Sequence, residues 1–266
     1  MDNVKLFVVT HKKVYVPNST ILVPLNPDCI FNYNIAEKKG YSELRAHYWV
    51  WKNEKVAEKV GFFQFRRYLD FTGNAKLPYT IKKFPRAEDY SPDFVNRFIQ
   101  LFEIIAPIPE YTGMTVWKRY GAAAGHRIED LQLTYDIICK KHKDFVPAAD
   151  AYLNGKAEYY GNLYIMDRNV FNEYCDWLFG ILEEYESGAE NIPARTQGYL
   201  AERLFGIWLT KVKSDGALRW KEVPRVHFWG YDDETHHIRR DKLINLLLPP
   251  GSERRVLVKS LEKGGQ

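Results

Sequence analysis

Two adjacent arginines and a tyrosine, Arg66-Arg67-Tyr68, close the apolar stretch that begins at Gly61 and runs to Asp70. Guanidinium groups at the end of a buried strand are costly unless an anion meets them, and their planar donors match phosphate oxygens. A phosphate-bearing ligand is therefore the first chemistry this pair suggests. The competing reading is structural. If the strand runs through the pair, the two side chains point to opposite faces, so one can pair with a protein carboxylate while the other faces a cleft. A second feature is Glu202-Arg203 within 196–211, where Leu200, Leu204, Ile207 and Trp208 share one side of a helix and Phe205 and Leu209 the other. A helix apolar over most of its circumference is buried. A carboxylate there has a raised pKa suited to proton transfer, unless an arginine pairs with it and holds the site in shape. The expected partners are Arg66, Arg67 or Arg195. Arg203 is not an expected partner, because neighbouring helical residues diverge by ~100°.

The elements that must position these groups follow from the apolar pattern. Val4–Thr10 is nearly continuous in β-branched and aromatic residues and reads as a central strand, stopping at His11 and Lys12. Ligands of open α/β sheets bind beyond the carboxyl ends of strands, which places His11 and Lys12 where a nucleotide can sit, although a histidine after a strand is more often a turn residue. Residues 14–40, with Pro17, Pro24 and Pro27, read as a long irregular excursion. Ser42 is the expected N-cap of the next helix, with Glu43 in its first turn and an aromatic stripe, Tyr48-Trp49-Val50-Trp51, along it. The strand 61–68 follows and completes a β–loop–α–β unit, parallel to the first strand. Further segments read as a helix from Pro92 to about Leu101, a short strand at 103–107, helical structure over 115–152 with His126 in a loop or capping position, and a strand at 162–167 introduced by Gly161-Asn162. A strongly amphipathic helix bearing Phe171, Tyr174, Leu178 and Leu182, and a final strand at 223–228, complete the series.

With 266 residues, 45% of them hydrophobic, the chain can bury a substantial core. Its 38 basic and 34 acidic residues balance to +4, too little to imply nucleic-acid binding. Cys29, Cys139 and Cys175 form no CxxC pair, so neither a zinc site nor a disulfide framework is expected, and a reducing cytoplasm fits. The amino terminus lacks the pattern of a signal peptide, and no apolar run approaches the ~20 residues needed to span a bilayer. The acids Asp232, Asp233 and Glu234 beside His236 and His237 read as a solvated loop rather than metal ligands. The tail 239–266 combines the apolar run 243–248 with lysines and arginines, and reads as a docked arm or a peripheral contact with a membrane surface. The expected division is thus a domain over 1–238 and a basic tail over 239–266.

Several motifs in one order resemble bacterial capsule and O-antigen glycosyltransferases, a family catalogued as a domain of unknown function. They are VVTHK (8–12), YSELRAHYWVWKN (41–53), GFFQFRRY (61–68), EIIAP (103–107), the Gly-His at 125–126, GNLYIM (161–166), FNEYCDWLF (171–179) and GYLAERLFGIWL (198–209). The resemblance covers about Val4 to Trp208. It implies an α/β fold of the GT-A-like nucleotide-sugar transferase type, with a mainly parallel central sheet flanked by helices. It also implies a cytoplasmic enzyme, at most peripheral on the inner face of the membrane, that moves a sugar such as galactofuranose from a UDP-sugar to a hydroxyl of a growing, lipid-linked glycan. The site expected from strand-end positions and the buried acid, with UDP named by the resemblance, has Glu202 as general base or as the residue that orients one. His11, Lys12, Arg66, Arg67, Tyr68 and Asn162 hold the donor, and Glu43, His126 and Arg203 contact substrate. The chain departs from its relatives at Gln64-Phe65, where His-Tyr is common, and at Arg45, where a small residue is usual. No Asp-x-Asp turn is present, so arginines rather than a divalent metal are expected to neutralise the leaving diphosphate, and no cofactor is required. Neither a GxxxxGK[ST] nor a GxGxxG loop occurs. The alternative is a non-catalytic protein of polysaccharide assembly: a nucleotide-binding regulator without need of a buried acid, or a glycan binder using aromatics such as Trp49 and Trp117.

Overall fold

Six residues with five buried side chains, Val4–Val9, form strand β1, an interior strand of the sheet. The computed structural model describes residues 3–73, 77–230 and 238–264, with side chains as far as Val258. The other strands are β2 (Leu22–Leu25), β3 (Lys59–Gln64), β4 (Arg67–Leu69), β5 (Tyr79–Lys82), β6 (Ile104–Pro107), β7 (Glu110–Tyr111), β8 (Ala157–Glu158), β9 (Tyr164–Asp167), β10 (Trp220–Val223) and β11 (Arg225–Phe228). The helices are α1 (Leu44–Asn53), α2 (Pro92–Ile99), α3 (Val116–Ala122), α4 (Ile128–Lys141), α5 (Val146–Leu153), α6 (Arg168–Gly188), α7 (Thr196–Asp215), α8 (Ile238–Leu247) and α9 (Glu253–Gly264).

β3 carries β1 on one side in parallel and β9 on the other in antiparallel register, with Phe7 opposite Phe62 and Phe62 opposite Tyr164. β2 lies outside β1, β6 and β10 lie beyond β9, and β4 leads to β11 and β5. Side chains alternate between two cores. Phe7, Val9, Val60, Phe62, Tyr164 and Met166 face the larger one, where α1 and α4 to α7 pack. Leu6, Val8, Phe63, Ile105 and Ile165 face the smaller, covered by Val95 and Ile99 of α2. The α/β class, with a central sheet flanked by helices, is as expected from the sequence.

Four expectations need correction. The sheet is mixed rather than mainly parallel: β9 runs antiparallel to both β3 and β6, although β1–β3 and β6–β10 are parallel. A four-residue apolar run does not encode its direction. Here the chain reaches β9 through the left-handed turn Gly161-Asn162 (φ 91° and 49°), at the end of the sheet where β3 finishes. The strand expected over 61–68 is broken by a two-residue turn at Phe65-Arg66, and Gln64 pairs back with Arg67. The strand expected over 223–228 is split at Pro224, which has no N–H to give a ladder. Ser42 does not cap α1 either: it adopts φ 50°, and Glu43 occupies the cap position without a side-chain cap bond. The acids 232–234 and the histidines 236 and 237 lie outside the described residues. In the tail, Arg255 of α9 donates to Asn245 Oδ1 of α8 at 2.5 Å, while Leu243, Leu246 and Leu247 are exposed. Among the described residues no helix is long and apolar enough to cross a membrane.

Candidate functional site

The carboxyl ends of β1 and β3 and the amino ends of α1 and α7 converge on a cleft. It consists of two neighbouring cavities, of about 250 and 530 Å³, which share Ser42, Glu43, Gln64, Arg67 and Arg195 in their walls. Three of the shared or supporting positions, Ser42 (φ 50°), Asn162 (φ 49°) and Arg195 (φ 69°), are non-glycine residues in the left-handed region. Such backbone is costly and persists where the surroundings impose it, as at binding sites. Two helix amino termini also meet here, and their unpaired N–H groups favour anions.

The larger cavity is cationic. His11 follows β1, and Arg66 sits in the turn after β3. Phe65, nearly buried, is the platform between them: the His11 ring meets its edge at 5.3 Å between centroids, while Lys12 Nζ and Arg66 Cζ each lie 5.1 Å from its centre. Lys39 and Arg45 line the same cavity but are tied to Asp28 at 2.5 and 2.6 Å. Those two partners, Lys39 first, hold the Asp28 carboxyl down to about 2. Arg45 also donates to the carbonyls of Ala36 and Ser42, so the excursion before α1 is fastened to the cavity wall. By contrast, among the described residues neither Arg67 nor Arg195 has a carboxylate within ion-pair distance; Arg195 lies 5.5 Å over the Tyr199 ring.

The smaller cavity holds the acids. Glu202 Oε1 accepts the Gly161 N–H at 2.6 Å, and Oε2 accepts from Arg203 Nη1 at 2.9 Å. Arg203 is thus the partner that helical geometry argued against. Its side chain is long enough to fold back along the helix, donating also to the Tyr199 carbonyl at 3.1 Å and, through Nη2, to buried Glu158 at 3.1 Å. Burial pushes the Glu202 carboxyl up and the Arg203 guanidinium pulls it back, with Glu43 adding to the rise. Glu43 Oε1 accepts from Asn162 Nδ2 at 2.8 Å and Gln64 Nε2 at 3.2 Å. His126 stacks on Tyr199 at 4.0 Å; burial lowers its pKa, so the ring is neutral near pH 7.

Of the residues singled out from sequence, His11, Arg66, Arg67, Glu43, His126, Glu202 and Arg203 line the cleft. Asn162 stands behind it, 3% exposed, bound to Glu43 and to the Gly198 carbonyl. Lys12 lies beside it on Phe65. Tyr68 does not join them: it is fully buried in the smaller core, stacked on Phe63 at 4.9 Å, because β4 turns it away from the arginines. Sequence reasoning missed Gln64, Arg195 and Tyr199 as wall residues. Gln64 was visible only as a departure from the family pattern, and the positive φ of Arg195 leaves no mark in the sequence. Among the described residues no group of three or more His, Cys, Asp or Glu side chains is placed to hold a metal ion.

A protein family described as "Domain of unknown function (DUF4422)" matches residues 5–214 of the chain. No curated protein matches. The solved structure described as the apo structure of WbbM, a bifunctional glycosyltransferase, is similar with a TM-score of 0.78 and 28% identity. The match covers 85% of this chain and 45% of that one, so this chain corresponds to about half of the larger protein.

Proposed function

The chain belongs to the DUF4422 family, and from that premise we propose that it is a glycosyltransferase. It takes a sugar from a nucleoside diphosphate sugar, UDP-linked and with galactofuranose as the first candidate, and joins it to a hydroxyl of a lipid-linked bacterial surface glycan. The observation that carries this reading is the division of one cleft into a cationic half and an acid-lined half with a common seam. His11, Arg66, Arg67 and Arg195, at strand ends and at the amino end of α7, suit the two phosphates. Bidentate guanidinium contacts can stabilise the negative charge that grows on the departing diphosphate without a divalent ion. The acceptor enters the half walled by His126, Tyr160 and Tyr199, whose rings offer stacking surfaces for a sugar. Glu202 and Arg203 fix that wall, the former by holding the Gly161 backbone.

The reading is tested by a donor screen with an octyl-galactoside acceptor, scored by mass spectrometry with and without EDTA. A product one sugar heavier, formed equally in both conditions, is expected. Activity lost to EDTA and restored by manganese would overturn the metal-free step, and binding of UDP without transfer from any donor would favour a regulator.

A further inference from the structure

A hydroxyl attacking a sugar must lose its proton at the place where the donor and acceptor halves of the site meet. Among the described residues two carboxylates, Glu43 and Glu202, line the smaller cavity, and of these Glu43 also lines the larger. Their oxygens are used differently. Both Glu202 oxygens are committed, one to the Gly161 N–H and one to Arg203, which links it on to Glu158. On Glu43 a single oxygen, Oε1, takes both amide donors, Asn162 from the turn before β9 and Gln64 from the end of β3. Among the described residues Oε2 accepts no hydrogen bond. Asn162 is itself locked by its second bond to Gly198 and by its left-handed backbone. The two amides therefore orient the carboxylate and leave a lone pair on the seam. An ion-paired acid resists taking a proton, because its partner would be left as an uncompensated buried charge. Among the described residues Glu43 carries no such tie.

We propose that Glu43 is the general base, with Gln64 and Asn162 as its positioning residues and Glu202 as part of the scaffold. The assignment rests on the transferase reading above. In the step, the acceptor O–H proton passes to Glu43 Oε2 as the oxygen forms its bond to the anomeric carbon. The bond from that carbon to the phosphate oxygen breaks, and its electron pair leaves with the nucleoside diphosphate, facing Arg66 and Arg67. One displacement inverts the anomeric centre.

The test compares wild type, Glu43→Gln, Glu43→Asp and Glu202→Gln, using a panel of UDP-sugars with the octyl-galactoside acceptor and UDP titration calorimetry. Glu43→Gln keeps the shape but not the basicity. It is expected to lower kcat ~10²–10⁴-fold while UDP affinity and the melting temperature stay within error, with Glu43→Asp in between. The product from wild type is expected to carry the anomeric configuration opposite to the donor's. Wild-type kcat in Glu43→Gln, or retained configuration, overturns the assignment while leaving the transferase reading intact. A wild-type chain that transfers from no donor in the panel sinks both.

Discussion

His47 is an interior imidazole that sits just before the aromatic stripe 48–51. It is 1% exposed, its Nδ1 lies 2.6 Å from the Tyr164 hydroxyl, and its ring stacks on Phe62 at 3.8 Å. Burial pushes its pKa down to about 3, whereas the unfolded chain titrates near the ordinary value of ~6.5. Between those values the unfolded state binds the extra proton, so stability falls as pH falls through that window, by up to ~1.4 kcal/mol per pH unit from this group. His227, also lowered by burial, acts with the same sign. Denaturant melts from about pH 7 to about pH 4 should show a shallower slope for His47→Gln than for wild type; parallel curves would contradict the buried neutral ring. Other single residues were easier to read. Arg66 and Arg67 were singled out by the cost of burying paired guanidinium groups, and they do line the cleft, although Arg66 is exposed and Arg67 only half-buried; the polar interruption of an apolar helix pointed to Glu202. The pairing of Glu202 with Arg203 was misjudged, because the angle between neighbouring Cα–Cβ bonds does not limit where a five-donor side chain can reach. Tyr68 was misplaced because the turn at 65–66 changes which face each following residue presents.

Element by element, α7 does most to place the site, since its cap residue Arg195 and its first two turns, with Gly198, Tyr199, Glu202 and Arg203, line the cleft. Its far half is held by close approach to α5. A methyl group at Gly206 would overlap the Tyr152 ring, whose hydroxyl accepts the Tyr159 N–H at 3.2 Å. Gly206→Ala is expected to cost ~1–3 kcal/mol by overpacking, read as a lower melting temperature, with weaker UDP binding where the overlap displaces α7, which carries Arg195 at its amino end. An unchanged melting temperature would show that the ring swings aside freely. Elements of this kind, α6 and α7 and the interior β1, were legible from periodicity and continuous apolar runs. The direction of β9, the break after Gln64 and the split at Pro224 were not, because each depends on pairing between distant segments rather than on local pattern. The three left-handed residues around the cleft are hidden for the same reason: tertiary contacts impose them.

At the scale of the whole molecule, a net charge of +4 over 266 residues is modest, yet Arg66, Arg67 and Arg195 converge where β1 and β3 end. A cleft so charged attracts polyanions from solution and weakens its hold as salt rises. The tail helices add a different surface, with exposed Leu243, Leu246 and Leu247 beside the exposed Arg239 and Arg240. The family's shared motifs fall before it, within residues 5–214. The most direct measurement is UDP titration calorimetry on wild type, Arg66→Ala and Arg67→Ala in the presence of EDTA. The account predicts binding without metal and a loss of ~1.5–3 kcal/mol in each variant, the worth of a hydrogen bond to a charged group. Affinity unchanged in both variants would contradict it.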